Sequence, residues 1–381
     1  MHTVGIICEY NPFHLGHRKQ LDTVRDKFPG CTIVCLMSGS YVQRGEPAIF
    51  DKAVRAEAAL ENGADLVLEL PVTYALSSAE GFAAGGVSIL SGFCDTLCFG
   101  AESGTRESLL ATAQALLGSE FREALPRFLA LGLSFPAARE RALAEIGADT
   151  SLLQKSNDIL AVEYCKAILC QNSMLEIFPI PRGGDYASTA PDAENPSATF
   201  VRAAIRAGAQ WEAYVPENLR ALYARAEIHD FPAGERAVLG QLRRMREEDY
   251  RLLSGCGEGL WRKWYAAAHS CAGTEEILAA VKSKRYTRTR LQRTMLCAYL
   301  GIGEQQLHSP APWCRCLGFT AAGREALKAA RLHGSFPNEG EKMEGDYALL
   351  EQRCDDLYSL FVRSAPGAPG QTAKRRVNVK P

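Results

Sequence analysis

The chain contains no run of about 18 apolar residues, the length needed to cross a bilayer, which excludes a membrane bundle. Its start has neither a basic segment nor a cleavage site. Met1-His2-Thr3-Val4 leads straight into a strand-like stretch, unlike a signal peptide. None of its 13 cysteines forms a C-x-x-C pair; the nearest spacings, Cys314/Cys316, Cys31/Cys35, Cys94/Cys98 and Cys165/Cys170, are not those of a zinc site. An odd count cannot close a full disulfide framework, and Cys8, Cys35 and Cys98 sit in apolar runs where a thiol acts as a small hydrophobe. A reduced, cytoplasmic protein is the expectation. Absent too are a lysine-bearing Walker loop and a G-x-G-x-x-G turn, so neither a P-loop nor a dinucleotide site is present.

What remains is an ordinary globular composition, 47% hydrophobic and 23% charged, over 381 residues. Disorder and collagen-like repeats are excluded, and the length suggests two to three domains. The net charge of −1 hides a division. From Lys282 onward there are 17 Lys and Arg against 9 Asp and Glu, whereas the preceding chain has 26 against 35. A basic end on an acidic chain suggests a docked polyanion, with a solvated basic face as the plain alternative.

Apolar runs at Val4–Glu9, Thr32–Ser38, Asp65–Leu70 and Asp95–Gly100 start 28, 33 and 30 residues apart, the repeat of a βα unit. They are nearly continuous rather than alternating, as parallel strands covered on both faces require. Helix-period segments at His17–Lys27, Asp51–Asn62 and Ser78–Leu90 separate them. The spacing predicts an α/β fold, a doubly wound parallel sheet that binds ligand at its strands' carboxyl ends. Met174–Ile180 is predicted to rejoin the sheet, and Pro196-Ser197-Ala198-Thr199 to open a helix ending near Gly208. The division expected is a catalytic domain over 1–232, a mainly helical basic domain over 233–363, and a disordered tail over 364–381, which has no acidic residue.

Chemistry concentrates in the first strand-to-helix turn, Gly5-Ile6-Ile7-Cys8-Glu9-Tyr10-Asn11-Pro12-Phe13-His14-Leu15-Gly16-His17. His14 and His17, three apart at a helix start, share one face. The unpaired N–H groups there favour phosphate, and two imidazoles donating to it would stabilise the charge of a substitution at phosphorus. Both rings are expected to face ligand space with little burial, and Gly16 to let the nucleotide approach the backbone.

This H-x-G-H turn resembles that of the nucleotidyltransferase superfamily containing class I aminoacyl-tRNA synthetases and small adenylyl- and cytidylyltransferases. Further segments narrow the resemblance: Met37-Ser38-Gly39-Ser40-Tyr41-Val42-Gln43-Arg44-Gly45-Glu46-Pro47-Ala48, Asp65–Pro71, Cys98-Phe99-Gly100-Ala101-Glu102 and Ser156-Asn157-Asp158. Pro181-Arg182-Gly183-Gly184-Asp185-Tyr186, Ser197-Ala198-Thr199 with Arg202, Lys284-Arg285-Tyr286-Thr287 and Cys316-Leu317-Gly318-Phe319 extend it. Together they resemble the bacterial tRNA(Met) cytidine acetate ligase family over nearly the whole chain.

That resemblance implies a two-step ligase. Acetate attacks the α-phosphate of ATP, and the acetyl group then passes to the wobble cytidine of elongator tRNA(Met), giving N4-acetylcytidine. It implies an ATP site made of Ile7, Cys8, Glu9, Tyr10, Asn11, Pro12, Phe13, His14, Leu15, Gly16, His17, Arg18, Lys19, Gln20, Gly100, Asn157 and Arg182, with His14 and His17 catalytic. ATP is expected to arrive as substrate with Mg²⁺, although no acidic cluster marks a dedicated metal site. Among the residues themselves, Asn157 suits adenine or ribose, or else a helix cap. Arg182 suits a phosphate fork, or else a surface loop. The 38–47 loop reads equally as a lid or as a crossover.

The segment Val281–Arg293 has six Lys and Arg, no acid and one tyrosine. Lys284, Arg285, Arg288, Arg290 and Arg293 are expected to track a tRNA backbone, apart from the ATP contacts. Trp261, Trp264 and Trp313 are expected in the core. The competing readings are a nucleotidyltransferase of a small metabolite and a non-catalytic RNA-binding protein with a vestigial nucleotide pocket. No membrane partner is expected.

Overall fold

The computed structural model describes residues 2–181, 196–257, 259–332, 334–338, 341–371, 375 and 377–380. The predicted apolar runs form β1 (Thr3–Cys8), β2 (Thr32–Ser38), β5 (Leu66–Leu70), β6 (Thr96–Ala101) and β7 (Glu176–Pro181). Between β2 and β5 lies a short hairpin of β3 (Tyr41–Val42) and β4 (Glu46–Pro47). Two late strands, β8 (Cys316–Phe319) and β9 (Asn378–Val379), complete a sheet ordered β7-β6-β1-β2-β5-β8-β9. The first five are mutually parallel, and β8 joins β5 antiparallel.

The continuous runs work because the pleat divides them between two cores. Ile7, Val34, Leu36, Leu66 and Leu68 face one core, while Val4, Ile6, Ile33, Cys35, Met37 and Val67 face the other. The first core includes residues of helices Ala79–Leu90 and Ser156–Cys170; the second includes those of Leu15–Lys27, Lys52–Leu60 and Ala198–Ala207. Asp51 and Ser78 cap their helices by accepting from Ala53 N and Gly81 N. From β1 the chain adds β2 and β5 on one side, then β6 and β7 on the other. The crevice of a doubly wound sheet opens at that reversal, here between β1 and β6.

A third core belongs to the predicted helical segment, with helices Phe231–Arg244, Leu260–Ser270, Thr274–Val281 and Arg288–Leu300. Trp264 is fully buried within it, Trp313 is buried elsewhere, and Trp261 is half-buried beneath Arg251 and Arg262. Helix Asp346–Tyr358 packs in this core and ties it to the sheet. Its Asp355 meets the buried Lys52 Nζ at 2.7 Å, and Lys52 also meets Glu69 at 2.8 Å.

The chain after Phe231 is mainly helical, as expected, and it also returns to the sheet: β8 pairs with β5, and helix Ala321–Ala330 packs on the core of that sheet. One sequence expectation is corrected: the tail is not wholly disordered. Asn378 and Val379 pair with Gly318 and Phe319, and Lys380 meets Glu57 and Glu61. The edge of β8 offers unpaired backbone groups, and Glu57 and Glu61, in and just after helix Lys52–Leu60, attract the basic tail. Among the described residues, no helix is long and apolar enough to cross a membrane, and all thirteen cysteines are free.

Candidate active site

At the end of β1 the chain turns through Tyr10, whose φ of +43° is the left-handed region uncommon for a bulky residue. Buried partners hold it there: the Tyr10 hydroxyl lies 3.3 Å from Cys35 Sγ, and Arg202 donates to Asn11 O at 2.8 Å. Asn11 Oδ1 accepts from Ile49 N at 2.8 Å. Arg55, fully buried, donates to Glu9 O at 2.7 Å and Ser38 O at 2.9 Å, joining the carboxyl ends of β1 and β2. Its pKa is lowered chiefly by burial, offset by neighbouring anionic groups including Glu69 and Glu9.

The two histidines form a reciprocal cap. His14 is the N-cap of helix Leu15–Lys27, and its Nδ1 accepts from Gly16 N at 3.1 Å. His17 Nδ1 accepts from His14 N at 3.3 Å. With both Nδ1 atoms acting as acceptors, a neutral ring carries its proton on Nε2. The rings stack with centroids 3.7 Å apart. The expectation of two open imidazoles is corrected: His14 is 0% exposed, whereas His17 is half-buried and lines a cavity. Gly16 has a structural reason as well, since a Cβ there would lie 3.0 Å from the His14 ring.

That cavity, about 480 Å³, lies at the β1/β6 reversal. Of the expected ATP residues, Ile7, Cys8, Glu9, Tyr10, Asn11, His17, Gln20, Gly100 and Asn157 line it. Phe13 is packed in the core and Arg18 pairs outward with Asp22; neither lines it, nor do Pro12, His14, Leu15, Gly16 or Lys19. Arg182 lies outside the described residues. Asn157, in the first turn of helix Ser156–Cys170, donates from Nδ2 to Glu102 Oε1 at 2.9 Å.

Phe82 and Tyr164, which local sequence patterns did not single out, join Phe99 and Leu160 in supplying apolar and aromatic walls. Among the described residues the lining also contains Arg44, Arg202 and Arg293 against one carboxylate, Glu9. This excess of guanidinium suits an anionic ligand. Burial raises the Glu9 pKa, opposed by the Gln43 N–H and the nearby arginines. In the 38–47 segment, which carries the β3–β4 hairpin, Gln43 N donates to Glu9 Oε1 at 2.8 Å, and Gln43 and Arg44 line the cavity. Among the described residues, no cluster of three or more His, Cys, Asp or Glu is placed to hold a metal ion.

The basic cluster divides. Lys284, Arg285 and Arg288 are exposed, with Arg288 paired to Glu275 at 2.7 Å. Arg290 lies over Tyr286 and donates to Gly255 O. Arg293 and Thr289 instead reach the cavity, which corrects the expectation that this helix stays apart from the nucleotide site. Helical periodicity sends residues five apart to different faces, a separation invisible in a count of charges.

Residues 1–370 match the model of the HIGH Nucleotidyl Transferase family. The chain is 33% identical to the tRNA(Met) cytidine acetate ligase of Clostridium acetobutylicum, over 96% of each chain. It is 36% identical to that of Clostridium tetani, over 95% of this chain and 96% of the relative. Thermotoga maritima TmcAL without ligand superposes with a TM-score of 0.89 at 28% identity, covering 100% of this chain and 99% of that one. The same protein bound with alpha-thio ATP gives 0.87 at 29% identity, with both chains fully covered. The chain therefore belongs to the HIGH nucleotidyl transferases and, among them, to the tRNA(Met) cytidine acetate ligase family.

Proposed function

We propose that this chain is an ATP-dependent ligase that acetylates N4 of the wobble cytidine in elongator tRNA(Met). The observation that carries the reading is the H-x-G-H cap opening on an arginine-rich cavity at the sheet's reversal point. An acetate oxygen attacks the α-phosphorus of ATP, the bond to the β-phosphate oxygen breaks, and pyrophosphate leaves. The cytidine amine then attacks the acetyl carbon, AMP departs, and the amine loses a proton.

In this reading His17 donates from Nε2 to phosphate oxygens as charge builds, while the buried His14 holds the turn that positions it. Gly100, at the end of β6, and Asn157 line the cavity and receive the adenosine. Arg182 is assigned to ATP from the family motif alone. Mg²⁺ would be carried on the nucleotide phosphates rather than in a protein cage, in keeping with its preference for substrate oxygens and water. Lys284, Arg285, Arg288 and Arg290 are the proposed tRNA contacts, on the body between Phe231 and His308. Free cysteines agree with a reducing cytoplasm.

The test is pyrophosphate release from ATP, with and without acetate and with and without tRNA. Acetate-dependent release is expected without tRNA. Release that ignores acetate would defeat the proposal.

A further inference from the structure

We infer that Arg293, carried by helix Arg288–Leu300 of the helical body, contacts the phosphates of the bound nucleotide, so that this body completes the ATP site. The inference rests on the reading of the cavity as an ATP site. Its support is geometric. The β3–β4 turn seats directly on the helix: a Cβ on Gly45, whose φ is +78°, would lie 2.6 Å from Arg293 N. Only glycine permits that approach and that φ together.

The same hairpin connects Arg293 to the H-x-G-H strand. Glu9 Oε1 accepts from Gln43 N at 2.8 Å, and Gln43 O accepts from Arg293 Nη1 at 3.1 Å. The guanidinium is thereby fixed at the cavity wall rather than free to sweep through solvent. Among the described residues no ion pair to Arg293 occurs, and its charged neighbour is Arg290. Burial lowers its pKa, helped by Arg290 and opposed by Cys297. A half-buried cation with no carboxylate partner among the described residues, beside a cavity whose described lining holds three arginines and one acid, is stabilised when a polyphosphate enters.

The experiment compares equilibrium binding of ATP and of adenosine to the full-length wild type, Arg293→Gln and Arg293→Met. Loss of one charge-assisted contact is expected to weaken ATP binding by ~10- to 100-fold. Adenosine affinity should stay unchanged, because the inference assigns Arg293 to the phosphates, which adenosine lacks. Unchanged ATP affinity, or an equal loss for ATP and adenosine, would overturn the inference and leave Arg293 as a support for the hairpin. If the neutral variants melt early, Arg293→Lys carries the test. Losing the planar fork should still weaken ATP several-fold while sparing adenosine; equal effects again refute it. A wild type that binds ATP through Arg293 yet releases no pyrophosphate with acetate would defeat the ligase reading and leave this contact standing.

Discussion

Replacing His14 and His17 by alanine should separate stability from chemistry, although one motif contains both. His14→Ala deletes the acceptor for Gly16 N and empties a fully buried position. Losing an N-cap costs about 1 kcal/mol, and the void adds roughly 2 kcal/mol, toward the low end for buried side chains cut to alanine. His14→Ala should therefore melt several degrees lower. His14→Asn, which keeps a cap acceptor, should recover about 1 kcal/mol of that loss.

His17 is half-buried, accepts the returning bond from His14 N and packs its ring against His14 and Tyr10. Its alanine variant should lose at most about 1 kcal/mol of stability. Its acetate-dependent pyrophosphate release should nevertheless fall by ~10²–10³ if it donates to the transferring phosphate. The assays are thermal melting and tRNA-free pyrophosphate release on the same preparations. A wild-type rate in folded His17→Ala, or an unchanged melting temperature in His14→Ala, would refute the division of labour.

Lys52→Ala should destabilise the protein by about 3–5 kcal/mol in urea titration, because it strands the buried Glu69 and Asp355 carboxylates. Glu351 gives a pH signature. Burial, then the charges of Glu69 and Asp355, push its carboxyl up to about 7, against Lys52 and the Tyr347 hydroxyl. Because the folded value exceeds the unfolded one, its contribution is complete below the ordinary carboxylate range and is lost as pH rises through about 7. Glu351→Gln should flatten that decline in melts from pH 5 to 8; an unaltered profile would show that another group sets it. Charge reversal at Lys284, Arg285 and Arg288 should weaken tRNA binding and reduce its salt slope while sparing tRNA-free adenylation. A wild-type slope would reduce the cluster to a solvated face.

The parallel strands were legible because each is a short apolar run repeated at βα spacing, and the nucleotide turn because its histidines lie three apart in one short motif. The late strands β8 and β9 were not. A four-residue and a two-residue strand carry little periodicity, and their pairing depends on partners distant in sequence: β8 on β5, and β9 in turn on β8. Arg55 and Lys52 read locally as ordinary charges on an alanine-rich helix, yet the fold buries both. One satisfies strand-end carbonyls and the other two carboxylates. The burial of His14 followed from cap geometry rather than motif spacing. Arg293 was counted with the basic cluster because charge runs record sign and not helix face.

The central claim is tested most directly by mass spectrometry of nucleosides from tRNA incubated with the protein, ATP and isotopically labelled acetate. The account predicts labelled N4-acetylcytidine in elongator tRNA(Met), formed with AMP and dependent on both ATP and acetate. Unlabelled product arising from acetyl-CoA without ATP, or no modified cytidine from a folded protein that binds ATP and this tRNA, would contradict it.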